Sequence, residues 1–178
     1  GLAVTMNQGR ETLVVADDYA YRWVDTENGS LSTTVKLGDF SYPGSATDVA
    51  LNDRVLVFTD VVRSRVFMVD RGNYQTVHKW KDIEAPYGVL LTDSDEPIIA
   101  DFASGQIIRL STVDKKSREI LASELSGPVG IAWASPDALY VTEALAGRVQ
   151  RINLSDDSKR FISDGLNQPE GLAILADG

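Results

Sequence analysis

Short apolar runs with a period of two residues recur along the chain at a regular spacing. A period of two is typical of half-buried β-strands. Four of these runs end in an acidic residue, and successive acids lie about 42 residues apart: Asp17, Asp60, Asp101 and Glu143. A second marker, a tetrapeptide with proline in its second place and glycine in its fourth, recurs in the same phase and ends at Gly88, Gly130 and Gly171. Self-similarity at this period indicates a repeat architecture built from strands.

Each repeat predicts four strands joined by turns of Gly, Pro, Asn, Asp and Ser. The clearest unit, residues 130–166, gives GIAWA, ALYVTE, RVQRINL and KRFISDGL. The third repeat gives the strands GVLLT, EPIIAD, GQIIRL and SREILASEL. The second repeat gives DVAL, RVLVFTD, SRVFMVD and YQTVHKW. The first repeat gives GLAVT, ETLVVAD, YRWVD and LSTTVKL. No segment predicts a helix.

Four-stranded units of 40 to 45 residues are the blades of a β-propeller. The fold class is therefore all-β, with four four-stranded blades plus one strand of a fifth. A β-sandwich also has short strands, but it gives no reason for four repeats in phase. The predicted blades span residues 1–47, 48–87, 88–129 and 130–170, and residues 171–178 begin a further blade of the same propeller domain.

The two ends of the chain carry the same inner-strand motif, GLAVTMNQG from Gly1 and GLAILADG from Gly171. This favours the hypothesis that the chain is part of a larger ring, with the remaining blades supplied by the same or another chain. The alternative is a closed four-bladed ring in which the strand from Gly171 completes the first blade. An open arc exposes a strand edge at each end, which promotes aggregation.

The charge pattern limits the classes of partner. The formal net charge is −9, and the 17 Lys and Arg residues are scattered without a basic run. A protein that binds phosphates needs a basic face, so nucleic acids and anionic membranes are disfavoured, and cations, neutral molecules or basic protein surfaces are favoured. No apolar run is long enough for a membrane span. Cysteine is absent, which excludes thiolate chemistry, and the composition slightly favours an extracytoplasmic location, periplasmic or secreted.

One face of the predicted propeller is rich in acids. Because strand two runs antiparallel to strand one, the repeated acids Asp17, Asp60, Asp101 and Glu143 lie on the face where the inner strands begin. Carboxylates there suit Ca²⁺, which takes six to eight oxygen ligands. An acid repeated in every blade is nevertheless better explained as structural, accepting backbone N–H groups of a neighbouring loop.

Function is expected where the repeat is broken. The residues that precede the inner-strand glycines differ between blades, and Asp48 replaces the glycine itself in the second. The binding candidates at the channel mouth are therefore Glu170, Tyr87, Thr47 and Asp48; the fourth equivalent residue is Val129.

Histidine and tryptophan offer little catalytic chemistry. His78 is the only histidine and lies on a predicted outer strand, so Ser–His and Cys–His triads are disfavoured within this chain. Trp133 lies on an inner strand and is predicted to pack between blades, with ligand stacking as the alternative.

The motifs resemble a known group of propellers. The patterns P-x-G-[LIV]-A, LYV-[AT]-[DE] and R-[VI]-x-R-[VI] are similar to those of NHL-repeat proteins and their relatives, the gluconolactonase and senescence-marker family, strictosidine synthase-like proteins and virginiamycin B lyase. The segments LVFTD and LYVTE also resemble YWTD blades. The resemblance implies a six-bladed ring of about 250 residues.

The resemblance implies two functions. Gluconolactonase-like proteins hold a metal with acidic or amide residues just before inner-strand glycines. Only Glu170 matches in position and type, while Tyr87 and Val129 depart from the pattern. A virginiamycin-lyase-like mechanism requires a histidine near the channel, and this chain offers none there. A binding or interaction platform is therefore the first interpretation, with a calcium-dependent hydrolase of the lactonase type, using Glu170 as a ligand, as the alternative.

Overall fold

The computed structural model describes residues 1–7, 9–17, 20–36 and 46–174. Sixteen strands form four antiparallel sheets of four strands each, and each sheet follows chain order. The first sheet contains β1 (Leu2–Asn7), β2 (Arg10–Asp17), β3 (Ala20–Asp25) and β4 (Leu31–Lys36). The second contains β5 (Ala46–Leu51), β6 (Val55–Asp60), β7 (Arg65–Asp70) and β8 (Thr76–Lys81).

The remaining two sheets repeat this plan. The third contains β9 (Pro86–Leu91), β10 (Pro97–Asp101), β11 (Gln106–Leu110) and β12 (Arg118–Ala122). The fourth contains β13 (Pro128–Ser135), β14 (Ala138–Glu143), β15 (Arg148–Asn153) and β16 (Lys159–Ser163). We call the sheets blades 1 to 4. The predicted all-β propeller of four four-stranded blades is confirmed, and no helix is found in the described ranges, so none there crosses a membrane.

Burial across each blade explains the residue types of its strands. Every residue of β6 and of β10 is buried, because a second strand in a middle blade is covered by a neighbour on both faces. Every residue of β16 is exposed, as expected of an outer edge. Three apolar cores fill the junctions between blades 1 and 2, 2 and 3, and 3 and 4.

The inner strands of blades 2, 3 and 4 begin two residues earlier than the sequence predicted. Ala46, Pro86 and Pro128 each pair with the acid that ends the second strand of the same blade. A register irregularity follows each of these pairs, so the segment before the glycine is already part of the sheet.

The predicted first strand of a fifth blade is not formed in the described part of the chain. Residues 171–174 lie outside every strand, and residues 175–178 lie outside the described residues. A strand requires a hydrogen-bonded neighbour, and no described segment pairs with this one.

The four blades form an open arc. Blades 1 and 2, 2 and 3, and 3 and 4 pack extensively on each other, whereas within the described residues no strand of blade 4 packs extensively against a strand of blade 1. The described residues therefore do not form the closed four-bladed ring considered as an alternative.

Candidate binding site at the channel mouth

The inner strands of the arc enclose the beginning of a central channel. Its cavity has a volume of about 770 Å³ and is lined by β1, β5, β9, β13 and the segment 170–174. The four predicted binding residues all line it: Thr47, Asp48, Tyr87 and Glu170. The structure thus brings these candidates to one cavity.

Two threonine hydroxyls tie adjacent inner strands together at the mouth. Thr59 Oγ1 donates to the carbonyl of Tyr87 (2.6 Å) and accepts from the N–H of Asp48 (3.0 Å). Thr142 Oγ1 donates to the carbonyl of Glu170 (2.9 Å) and accepts from the N–H of Gly130 (2.7 Å). The carbonyls of Tyr87 and Glu170 are therefore each held by a threonine of the preceding blade.

These threonines were missed in the sequence analysis. Each directly precedes the repeated acid, in FTD and in VTE, whereas alanine stands there in VAD and IAD. This alternation of residue type is the signal that could have identified them.

The glycine of the repeat permits this close approach. A Cβ on Gly88 would lie 2.3 Å from the carbonyl oxygen of Val129, and one on Gly130 would lie 2.1 Å from that of Glu170. Both distances are far below van der Waals contact, so a side chain at Gly88 or at Gly130 would displace the segment that passes it.

The mouth side chains have different surroundings. The Tyr87 ring packs against Phe102, with ring centroids 5.4 Å apart. Glu170 is exposed, and Thr47 Oγ1 accepts the N–H of Val61 (3.3 Å). Tyr87 and Glu170 thus present an aromatic ring and a carboxylate at the mouth.

Asp48 places a carboxylate between two inner strands. Its Oδ2 accepts the N–H of Val89 in the next blade (3.0 Å). Burial raises the pKa of Asp48, and backbone hydrogen bonds from Val89 and Val49 oppose that rise without cancelling it. The channel wall therefore makes the Asp48 carboxylate easier to protonate than a carboxylate in water.

We expect Asp48→Asn to stabilise the protein at pH 7 by about 1 kcal/mol. The amide oxygen can still accept from Val89, and no charge has to be buried. A folded-state pKa above the unfolded value means that the carboxyl group adds stability below its unfolded pKa and loses it as pH rises through the folded pKa. Urea unfolding from pH 3 to 8 measures the difference.

The control for this substitution is Asp53→Asn, which removes an exposed charge from a turn. Asp48→Asn should match the wild-type protein near pH 3 and exceed it at neutral pH. Lower stability than wild type at pH 7 would contradict the expectation.

Two of the repeated acids hold the loops that lead into inner strands. Asp101 accepts the N–H groups of Glu84 (3.3 Å) and Ala85 (2.8 Å), and Glu143 accepts that of Ser126 (2.6 Å). Both carboxylates are buried, at 4% and 0% exposure. They do not line the channel cavity.

The other two acids pair with arginines. Asp60 accepts the N–H of Arg63 (3.0 Å) and forms an ion pair with its guanidinium (3.5 Å). Asp17 pairs with Arg22 on the neighbouring strand. The structural role of all four acids stays a prediction, which these contacts support.

The described side chains at the mouth do not by themselves make up a calcium site. In the described ranges, no three His, Asp or Glu side chains are grouped so that they could hold a metal. Glu170 remains a single candidate ligand, and one oxygen of Asp48 already accepts from Val89. We derive no chemical step through a metal.

His78 and Trp133 occupy different parts of a blade. His78 lies on the outer strand β8 and stacks on Trp80, with centroids 5.2 Å apart. Burial, and then the charge of Lys115, lower the pKa of His78. Trp133 lines the channel wall and packs against the core between blades 3 and 4.

Comparison with known proteins shows the fold. No protein-family profile and no curated protein matches the chain. Among solved structures it is similar to virginiamycin B lyase from Staphylococcus aureus (TM-score 0.67, 16% identity, 91% of this chain and 55% of that chain). It is also similar to a streptogramin B lyase (TM-score 0.70, 13% identity, 94% of this chain and 56% of that chain). A third similar structure is the β-propeller domain of Cps50 (Swd1) from Myceliophteria thermophila (TM-score 0.71, 16% identity, 97% of this chain and 58% of that chain).

The chain spans a little over half the length of these three proteins. Two are lyases and one is a propeller domain of another kind, so the likeness carries no single activity. At these identities it concerns architecture alone, and the chain is a β-propeller.

Proposed function

We propose that this propeller is a binding platform whose ligand, a protein or a small molecule, sits at the channel mouth. The ligand contacts Tyr87 and Glu170, with Thr47 and Asp48 beside them. The observation that carries this proposal is the anchoring of the Tyr87 and Glu170 carbonyls by Thr59 and Thr142 of the preceding blades. The backbone is held alike at both positions while the side chains differ. A rigid frame that presents varied side chains is what a binding surface requires.

The charge of the cavity indicates the class of ligand. Its only charged side chains among the described lining residues are those of Asp48 and Glu170, and neither Lys nor Arg lines it. Aliphatic side chains of the inner strands form most of the wall. The site therefore suits a neutral or cationic group with an apolar body.

A fragment screen by NMR tests the platform. We expect chemical-shift changes to concentrate at residues 47–48, 87–88 and 170–171 for a subset of neutral and amine-bearing fragments. Tyr87→Ala and Glu170→Gln should each weaken those fragments at least about threefold, because each removes a single contact.

The matched control is Val129→Ala, the equivalent mouth residue without a polar group. Fragment shifts confined to the outer strands, or hits that do not respond to Tyr87→Ala and Glu170→Gln, would refute the platform at this mouth.

The calcium-dependent hydrolase is the second candidate. It is favoured by Glu170, which lies directly before an inner-strand glycine and lines the cavity with Asp48. The same screen repeated with Ca²⁺ separates the candidates, since a metal that binds only the native state raises its melting temperature. A rise in melting temperature with Ca²⁺ that disappears in Glu170→Gln would support the hydrolase. No rise would contradict the hydrolase and favour the binding platform.

We also infer that the arc is completed by further blades, from this chain or another. Leu2, Val4 and Met6 form one face of β1 and are 58%, 57% and 61% exposed. The matching residues of blade 2, Val49 and Leu51, pack against blade 1. The same face of the inner strand is covered by the preceding blade in blades 2, 3 and 4. The resemblance to NHL-repeat propellers makes six blades the expected total.

Light scattering tests this inference. Residues 1–178 produced alone should associate through the uncovered face, so that the measured mass exceeds 19.4 kDa. Val4→Asp with Met6→Asp should lower that mass to the monomer value because charges oppose burial of the face. A wild-type monomer that is stable and does not aggregate would contradict it.

A further inference from the structure

A second cavity lies between blades 3 and 4, at the ends of the inner strands away from the channel mouth. We call it the turn groove. Its volume is about 840 Å³, and its lining includes the β9–β10 turn, the β13–β14 turn and Trp133. The apolar floor contains Ile98 and Leu121, which are 1% and 8% exposed. The groove is built entirely from described residues of two adjacent blades.

The equivalent junction between blades 2 and 3 is closed by a salt bridge. Arg54, in the β5–β6 turn, binds Asp95 in the β9–β10 turn through Nε (2.9 Å to Oδ2) and through one terminal nitrogen (2.9 Å to Oδ1). That terminal nitrogen also donates to the Asp93 carbonyl (3.2 Å). Asn52 Nδ2 adds a hydrogen bond to Asp95 Oδ1 (2.6 Å). A guanidinium thus spans the turns of blades 2 and 3.

The junction between blades 3 and 4 has no such bridge. Three residues hold the same place in their repeats, in the turn between the first and second strands: Arg54 in blade 2, Asp95 in blade 3 and Asp137 in blade 4. Each directly precedes the residue that closes its turn, which is Val55, Glu96 or Ala138. Asp137 therefore stands in blade 4 where Asp95 stands in blade 3. Blade 3, however, carries Asp95 where blade 2 carries Arg54, and Asp95 is itself bound to Arg54, so blade 3 offers no guanidinium to Asp137 at this place.

The Asp137 carboxylate is left at the rim of the groove. It is exposed, and its Oδ1 accepts a hydrogen bond from Ser135 Oγ in its own turn (2.6 Å). On the far wall Arg109 is paired with Glu119. Among the lining residues, the acids Asp93, Asp137 and Glu119 outnumber the cation Arg109. Arg151 lies beside the Asp137 end of the groove, where its guanidinium donates to Ser135 Oγ (3.3 Å).

Trp133 provides the second feature of a cation site. Trp133 lines both the groove and the channel wall, and it packs against the core between blades 3 and 4. An indole face attracts a guanidinium or ammonium group within about 6 Å, and guanidinium also stacks on it as a plane. The groove thus pairs an aromatic wall with a carboxylate at its rim.

We propose that the turn groove binds an arginine side chain from a basic segment of a partner protein. The guanidinium takes the place that Arg54 takes at the preceding junction and forms its ion pair with Asp137. Its methylene stem lies over Trp133 and the apolar floor. Trp133 also lines the channel wall, but Asp137 and the two turns do not, so the proposal does not depend on the function at the channel mouth.

NMR titration with a capped peptide tests the proposal. The probe is acetyl-Ala-Ala-Arg-Ala-Ala-amide, and its control is the same peptide with citrulline, which keeps the shape and removes the charge. We expect the arginine peptide to shift the Trp133 indole N–H and the amides of residues 93–95 and 135–137. Citrulline should bind at least about threefold more weakly, and added salt should weaken the arginine peptide.

Variants at the groove complete the test. Asp137→Asn and Trp133→Phe should each weaken the arginine peptide about two- to fivefold, whereas Asp53→Asn, with the same change in net charge, should not. Equal binding of the citrulline peptide, or shifts confined to the channel mouth, would overturn the proposal. Trp133→Phe also changes core packing. The salt dependence of arginine-peptide binding to the wild-type protein is therefore an independent test.

Discussion

Replacing Glu143 by alanine is expected to lower the free energy of unfolding by about 3 kcal/mol. Its carboxylate is completely buried, yet it binds the Arg148 guanidinium (2.7 and 2.9 Å), the Ser126 N–H and the Gln150 amide. The substitution leaves these donors without their acceptor in a site that excludes water. Urea unfolding at pH 7, followed by tryptophan fluorescence, measures the loss.

The control lies at the same place in the first repeat. Asp17→Ala removes an acid whose side chain is 46% exposed and which pairs with Arg22, so a cost below about 1 kcal/mol is expected. Equal costs at Glu143 and Asp17 would show that burial of the carboxylate does not decide the effect.

The contribution of Glu143 should also depend on pH. Burial by itself would raise the pKa of Glu143, but hydrogen bonds from Arg148, Ser126 and Gln150 outweigh it and hold the pKa below 4.5. A depressed pKa gives stability that is present above the unfolded value and is lost as pH falls through the folded value. The difference between wild type and Glu143→Ala should therefore shrink in acid below pH 4.5.

Replacing Gly88 by alanine is expected to cost about 2–3 kcal/mol. The new Cβ would lie 2.3 Å from the Val129 carbonyl oxygen, and both atoms belong to inner strands that are fixed to their neighbours. The φ of Gly88 is not in the left-handed region, so the cost comes from this contact and not from backbone strain. Blades 3 and 4 must move apart at the channel to relieve it.

Gly171→Ala is the matched control because it changes the same place of the repeat. A Cβ there would meet no described atom within 4 Å, so no loss of stability is expected. Thermal unfolding of both variants checks the pair. A Gly88→Ala protein as stable as Gly171→Ala would refute the close approach of the inner strands.

Much of the fold could be predicted from the local pattern. Alternation of apolar residues and turn composition predict strands such as β6 and β14 almost to the residue, because pleating and turn formation depend on near neighbours. The starts of the inner strands could not be predicted. Pro86 and Pro128 join the sheet through pairing with Asp101 and Glu143, which are distant in sequence.

Part of the candidate site could also be predicted. The breaks in the repeat at Asp48, Tyr87 and Glu170 identify residues that do line the channel. The anchoring by Thr59 and Thr142 could not be predicted, since each hydroxyl reaches a carbonyl 28 residues further along the chain. The turn groove likewise depends on two turns that meet only when blades 3 and 4 pack.

The sequence by itself determined the repeat, the strands and the residues by which one blade differs from another, because these follow from periodicity and local chemistry. Only the tertiary structure decided that Asp101 and Glu143 are buried against loops, and that Asp48 spans two inner strands. The environment of a carboxylate depends on which backbone passes beside it. That backbone is supplied by a distant part of the chain, through the packing of one blade on the next.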